Sequence, residues 1–259
     1  IVIAKFFSAE VLGLYYLAEK INSLIAPQIS NSIQTASLPA LARIQDQNDD
    51  LCREFRKVLI ASMLIISPIV VGVAVLAPYA FPVFFSDAWQ RSAIFLQLLS
   101  ILGLMYPVHL MNFNILVVKG RSDLVLGVGL IKKIISITIL IFSIPYGMYG
   151  ILVGQILASV LALFPNIYFS HQLINYGYRD QLTDLIRSIS AALISGLIIF
   201  FTARVLNFSP LILLLVMALS GFSIYLFLAY LFNNREVLPL LKYFLKKAGQ
   251  FFKLPSYMT

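Results

Sequence analysis

DLVLGVGLIKKIISITILIFSI, residues Asp123–Ile144, is an apolar run of membrane-crossing length with two adjacent lysines, Lys132 and Lys133, near its middle. Asp123 bounds it on one side and the turn Pro145–Gly147 on the other. That leaves room for one helix of about twenty residues, the length that crosses a hydrocarbon core about 30 Å thick. A helix starting after the lysines would have only eleven residues, Ile134–Ile144, before Pro145, too few to cross. The lysines therefore lie inside, roughly 14 Å from Asp123 at about 1.5 Å per residue. Insertion scales make each such lysine unfavourable by about 2.5–3.5 kcal/mol, so these charges face a cavity, a partner or a substrate path. The alternative is an internal ion pair, or snorkelling from a helix that enters obliquely.

Composition agrees. Of 259 residues, 60% are hydrophobic and 12% charged, with mean hydropathy +0.92; soluble domains carry about twice that charged fraction. No residue is charged between Lys57 and Asp87, nor between Arg204 and Arg235, and uncharged apolar runs of that length read as spanning helices. The fold class is all-α: a polytopic membrane helical bundle of about seven spanning helices plus an N-terminal partial one. The single cysteine, Cys52, lies in a charged loop, which excludes a disulfide framework or thiolate metal site. The opening IVIAKFF has no basic n-region and no cleavage site, so it is not a signal peptide. It reads as the tail of a span whose beginning is missing, which makes the chain a fragment by expectation.

The first complete span, from about Leu12 to Ala42, is unusually polar. Tyr16, Lys20, Ser23, Pro27, Asn31 and Gln34 recur at steps of three and four and share one helix face. Lipid offers that stripe no partners, so it faces water or hydrogen-bonds other helices. The charged stretch Arg43–Lys57 follows, where Asp49 or Asp50 can cap the next helix. The second span covers about Val58–Ala77, ended by Pro78 and Pro82, and the third about Ser92–Val118. Gly120 is placed to end the third helix, and Ser122 or Asp123 to cap the lysine span. Further spans are expected at about Ile151–His171, Ile186–Val205 and Leu211–Phe232.

Domain organisation is a transmembrane lobe over residues 1–234 and a tail over 235–259. The tail alternates Val237, Leu241, Phe244 and Leu245 with Lys242, Lys246 and Lys253, a pattern for a helix lying on an anionic membrane face. Basic residues are sorted between alternate loops. One side holds Arg43, Arg53, Arg56, Lys57, Lys119, Arg121, Arg179 and Arg187 with the tail; the other holds only Lys5, Arg91 and Arg204. By the positive-inside rule the richer side, and with it the C-terminus, is cytoplasmic. Topology thus accounts for the net charge of +8, and no nucleic-acid module is recognisable.

The sequence contains no phosphate-cradling glycine loop, no His/Glu zinc spacing and no Gly-x-Ser-x-Gly elbow. Helices with prolines, polar stripes and buried cations suit a path through lipid better than catalysis. LGLYYLAEKI (12–21), LPALARIQDQNDDLCREFRKVL (38–59), DAWQRS with LQLLSILG (87–103), KGRSDL (119–124) and YGMYGILVGQILAS (146–159) resemble, in order and spacing, the second half of Wzx-type polysaccharide exporters. These belong to the multidrug/oligosaccharidyl-lipid/polysaccharide superfamily. The resemblance implies two helical lobes around a central cavity, this chain being the C-terminal lobe with the N-terminal lobe missing. It also implies movement of an undecaprenyl-pyrophosphate-linked oligosaccharide across the bacterial inner membrane, from the cytoplasmic to the periplasmic leaflet. It admits H+ or Na+ as a coupling ion, no cofactor, and a polysaccharide polymerase and chain-length regulator as partners besides membrane lipids.

A pyrophosphate entering lipid is stabilised by cations at mid-depth, and lysine serves as a mobile point charge. The expected substrate-binding residues are Lys132 and Lys133 with Lys20, while Asn31 and Gln34 meet sugar hydroxyls. Adjacent helical residues sit about 100° apart, so one of the lysine pair can face away. The competing readings are a multidrug antiporter, which would favour buried acids where the spans hold only Glu19, a polysaccharide polymerase, an O-acyltransferase resting on His109, and a scaffold.

Overall fold

A computed structural model describes the backbone of residues 6–205 and 209–251, and the side chains as far as residue 232. Among the described residues seven long helices run antiparallel in sequence order: α1 (Ala9–Arg43), α2 (Asn48–Phe84), α3 (Arg91–Val118), α4 (Ser122–Ser143), α5 (Gly147–Ile174), α6 (Tyr178–Val205) and α7 (Pro210–Phe251). Among the described residues five stretches are long and apolar enough to cross a membrane, and the one from Ser122 to Ile174 holds both α4 and α5. The protein is thus a multi-pass helical membrane bundle. Among the described helices α1 alone falls short, because of its polar stripe, although it runs the length of α3.

α2 and α3 form the centre. α1 and α5 flank α3, while α6 and α7 flank α2 and pack on each other. α4 lies at the margin, leaning on α5 and more slightly on α3. One core cluster sits at the end rich in basic residues, where Leu41, Phe55, Ile115, Ile174 and Leu185 meet. A second sits at the opposite end around Leu14, Phe81, Leu96 and Leu152. Lys119 donates to Gln45 O and Asn48 Oδ1, tying the α1–α2 and α3–α4 connections together at the basic end.

Several helix ends differ from the sequence expectation. The N-cap of α2 is Gln47, without a side-chain bond, and Asp49 and Asp50 fall in its first turn. There they still complement the positive helix end. Pro78 and Pro82 do not end α2; both lie inside it, and it closes at Phe84 with Phe85 N–H donating to Phe81 O at 2.9 Å. Each proline removes one backbone bond, which burial of Ala77 and Phe81 against the neighbouring helices outweighs. At the α3–α4 turn, Gly120 (φ 66°) accepts the left-handed conformation while its N–H donates to Val117 O and that of Arg121 to Leu116 O, both at 3.0 Å. Arg121, not Ser122 or Asp123, is the N-cap of α4, because Asp123 turns back to accept two bonds from the Arg121 guanidinium at 2.9 and 2.7 Å.

α6 begins at Tyr178, two turns before the expected span, and α7 continues unbroken past residue 234 to Phe251. The expected N-terminal partial span and the amphipathic pattern of the tail side chains lie outside the described residues.

Candidate functional site

α3, α4 and α5 enclose a cleft of about 430 Å³, lined among others by His109, Lys132, Ser136, Gln155 and Ser159. Gly154 lets α4 and α5 come together: a Cβ there would fall 2.0 Å from Ser143 Oγ and 3.3 Å from Ile139 Cγ2. Small residues at such crossings let membrane helices approach closely. Gln155 and Ser159, four residues apart, then face one side of α5. His109 Nε2 lies 3.0 Å from Ser159 Oγ, and Asn166 Nδ2 donates to His109 O at 2.9 Å. Gln155 Nε2 donates to Tyr15 Oη at 3.3 Å, which brings α1 to the cleft rim.

The two lysines of α4 part company. Lys132, Ser136 and Leu140, at four-residue steps, line the cleft, on the side where Val128 and Ser143 are buried against the bundle. Lys133 is exposed on the other side of α4, with Leu130, Ile137 and Ile141 exposed along the same stripe. Among the described residues neither lysine pairs with a carboxylate, and no Asp or Glu lines the cleft. The internal ion-pair reading of Lys132 therefore has no partner among the described residues.

On α1, Lys20 and Asn31 are exposed and Gln34 is half-buried. Gln34 Nε2 donates to Asn114 Oδ1 at 2.5 Å, an interhelical bond, and Asn31 Oδ1 accepts from Tyr106 Oη at 3.4 Å. Hydroxyls on α1 bond to their own helix: Ser23 to Lys20 O, Ser32 to Gln28 O and Thr35 to Asn31 O. Five residues expected to act together thus fall in different settings. Lys132 enters the cleft, Lys133 faces outward, Lys20 and Asn31 lie open on α1, and Gln34 is held to α3.

A buried polar network at the basic end was not legible in the sequence. Asn112 and Gln181 exchange amide bonds at 2.9 and 2.8 Å, and Ser170 Oγ donates to Asn112 Oδ1 at 2.5 Å. Asp184, 2% exposed, accepts from Arg56 at 2.5 Å and from Tyr176 Oη at 2.7 Å. Burial, together with the hydrogen bond to Asp184, pushes the Tyr176 phenol up, so it remains a donor at neutral pH. The signal was present as Gln181, Asp184 and Ser188 at steps of three and four, one helical face, but with the span expected from Ile186 the first two fell in the loop beside Arg179 and Asp180 and only Ser188 in the helix.

The fold defines one lobe of a polytopic helical membrane protein. Residues 1–94 match a family model described as polysaccharide biosynthesis protein. The chain is 29% identical over 191 residues to the lipopolysaccharide biosynthesis protein WzxC of Escherichia coli strain K12, covering 71% of this chain and 38% of that protein. It is 26% identical over 124 residues to the teichuronic acid biosynthesis protein TuaB of Bacillus subtilis strain 168, covering 48% of this chain and 26% of that one. In fold it is similar to the lipid II flippase MurJ in an inward closed conformation, with a TM-score of 0.71 at 15% identity over 86% of this chain and 47% of that chain. The chain therefore spans under half the length of these relatives, and the resemblance to Wzx-type polysaccharide exporters is borne out on that span.

Proposed function

We propose that the chain is the C-terminal lobe of a flippase that carries an undecaprenyl-pyrophosphate-linked oligosaccharide across the bacterial inner membrane for surface polysaccharide assembly. The observation that carries this reading is Lys132: a cation at mid-depth that opens into a cleft and meets no carboxylate among the described residues. An isolated ammonium there is costly unless a water-filled space or an anionic ligand compensates it. The similarity to polysaccharide biosynthesis proteins and to the MurJ fold supports an anionic lipid headgroup as that ligand. Lys20 and Asn31, open on α1, would serve the glycan, with Gln34 holding α1 to α3. The positive end of the bundle is taken as cytoplasmic, and the coupling ion as H+ or Na+.

The test uses the full-length protein in cells lacking their own copy. Lys132→Gln is expected to reduce surface polysaccharide at least about tenfold, with lipid-linked repeat units accumulating, as removal of a charge-assisted contact predicts. Lys133→Gln is expected to leave export near normal. Normal export by Lys132→Gln at normal protein level would remove this residue from the mechanism.

A further inference from the structure

The cleft holds a second titratable group, His109, which the reading above does not use. It stands on α3 across the cleft from Lys132 on α4, with Ser159 and Gln155 of α5 beside it. Imidazole is the side chain whose charge changes near neutral pH. We propose that the α3–α4–α5 cleft is a diphosphate-binding site in which Lys132, Ser159 and Gln155 hold the anion and His109, protonated as the anion enters, supplies the second positive charge. This deepens the transport reading and rests on it for the lipid that bears the diphosphate.

Three features carry the inference. The cleft offers hydrogen-bond donors from Lys132, Ser136, Gln155 and Ser159, and no carboxylate among the described residues lines it, so it selects anions. Its volume of about 430 Å³ admits a headgroup larger than a single phosphate. Its charge is single while empty, whereas a diphosphate carries more than one negative charge, so bringing that anion into a low-dielectric site with Lys132 alone leaves a net charge uncompensated. Proton uptake by His109 removes the mismatch. Two like charges in one cleft repel, but an anion between them turns repulsion into two attractions. Linkage then requires that protonation tighten anion binding by the same factor as the anion favours protonation.

The surroundings suit a ring that changes state. His109 Nε2 faces Ser159 Oγ, a hydroxyl able to donate or accept. Its Nδ1 lies 3.4 Å from the amide of Asn166, whose Oδ1 is buried with no partner among the described residues. Rotation of that amide would give up its bond to His109 O and present an acceptor to a protonated Nδ1. The other titratable groups near the cleft are Lys132 of α4, in its lining, and Tyr15 of α1, which accepts from the lining residue Gln155 and has Glu19 one turn further along its own helix. α2 and α5 bring none to its lining. The proton comes from water as the anion binds and returns to water as it leaves.

The experiment is calorimetry on the full-length purified protein with geranylgeranyl diphosphate as probe, in buffers of differing ionisation enthalpy at neutral pH. The parent protein is expected to take up a fraction of a proton on binding, with affinity falling by up to about tenfold per pH unit as pH rises. His109→Gln, and His109→Asn as a second variant, should abolish the part of that uptake due to the imidazole while melting like the parent. Lys132→Gln should weaken binding about tenfold to a hundredfold at every pH, the range for a hydrogen bond to a charged group. Binding by the parent without proton uptake, or uptake unchanged in both His109 variants, overturns the proposal. Phosphatidate bound as tightly as the diphosphate would assign the cleft to bulk phospholipid and overturn the diphosphate assignment. Loss of binding in Lys132→Gln with export intact in cells supports the site and overturns its part in transport. Lost export with unchanged binding overturns the site and leaves the transport reading standing.

Discussion

Asp184 shows how one residue decides the security of the basic end. Its carboxylate is buried and joins Arg56 of α2 to Tyr176 of the α5–α6 connection. Arg56 itself is about half exposed, which screens part of the attraction, but removing the carboxylate leaves a guanidinium and a buried phenol without it. Asp184→Ala is expected to cost about 3 kcal/mol, near the low end for breaking a buried pair. Tyr176→Phe, which removes one hydrogen bond and keeps the ion pair, should cost about 1 kcal/mol. Thermal unfolding in detergent checks the order: a Tyr176→Phe loss equal to that of Asp184→Ala would mean the carboxylate is no anchor. At this scale sequence reading reached Lys132 and Lys133 as intramembrane cations. It could not sort them, since adjacent residues on a helix always point in different directions and only the neighbour decides which one is covered.

At the scale of elements, α4 is the informative helix. Within α4 only Val128 and Ser143 are buried, and it is held to α5 by the close approach at Gly154. Gly154→Leu would place a branched side chain where Ser143 and Ile139 already stand. We expect it to push α4 off α5, to widen the cleft and to lower thermal stability by about 1–3 kcal/mol, the usual cost of overpacking. Gly129→Ala, with open space around its Cβ position, should leave stability within about 0.5 kcal/mol. Equal losses in the two variants, read from melting curves, would show that the α4–α5 contact does not depend on Gly154. The sequence placed α3 within one residue and α4 with its full length, because strong turn chemistry brackets them. It misplaced the end of α2, since prolines that stop a helix in water are retained where neighbouring helices pack over them.

For the whole molecule, the open polar stripe of α1 and the apolar outer face of α4 make opposite demands on their surroundings. Lys20 and Asn31 require water or polar partners, whereas Leu130, Ile137 and Ile141 suit hydrocarbon. If water or polar partners cover the open face of α1 in the membrane, a cysteine at position 31 will be reached by a membrane-impermeant maleimide. One at position 137 will not. The native Cys52 is first replaced by serine. Labelling at 137 with protection at 31 would reverse the assignment of faces.

The sequence by itself determined that the chain is helical, crosses the membrane repeatedly and carries its positive loops on one side. Those properties depend on run length, composition and turn residues, all of which are local. Only the tertiary structure decided that Lys132 shares a cleft with His109 and Ser159 while Lys133 turns away, and that Gln181 and Asp184 are buried partners rather than loop residues. Helix rotation and long-range pairing are set by which faces pack, and a face acquires its meaning only from the helix laid against it.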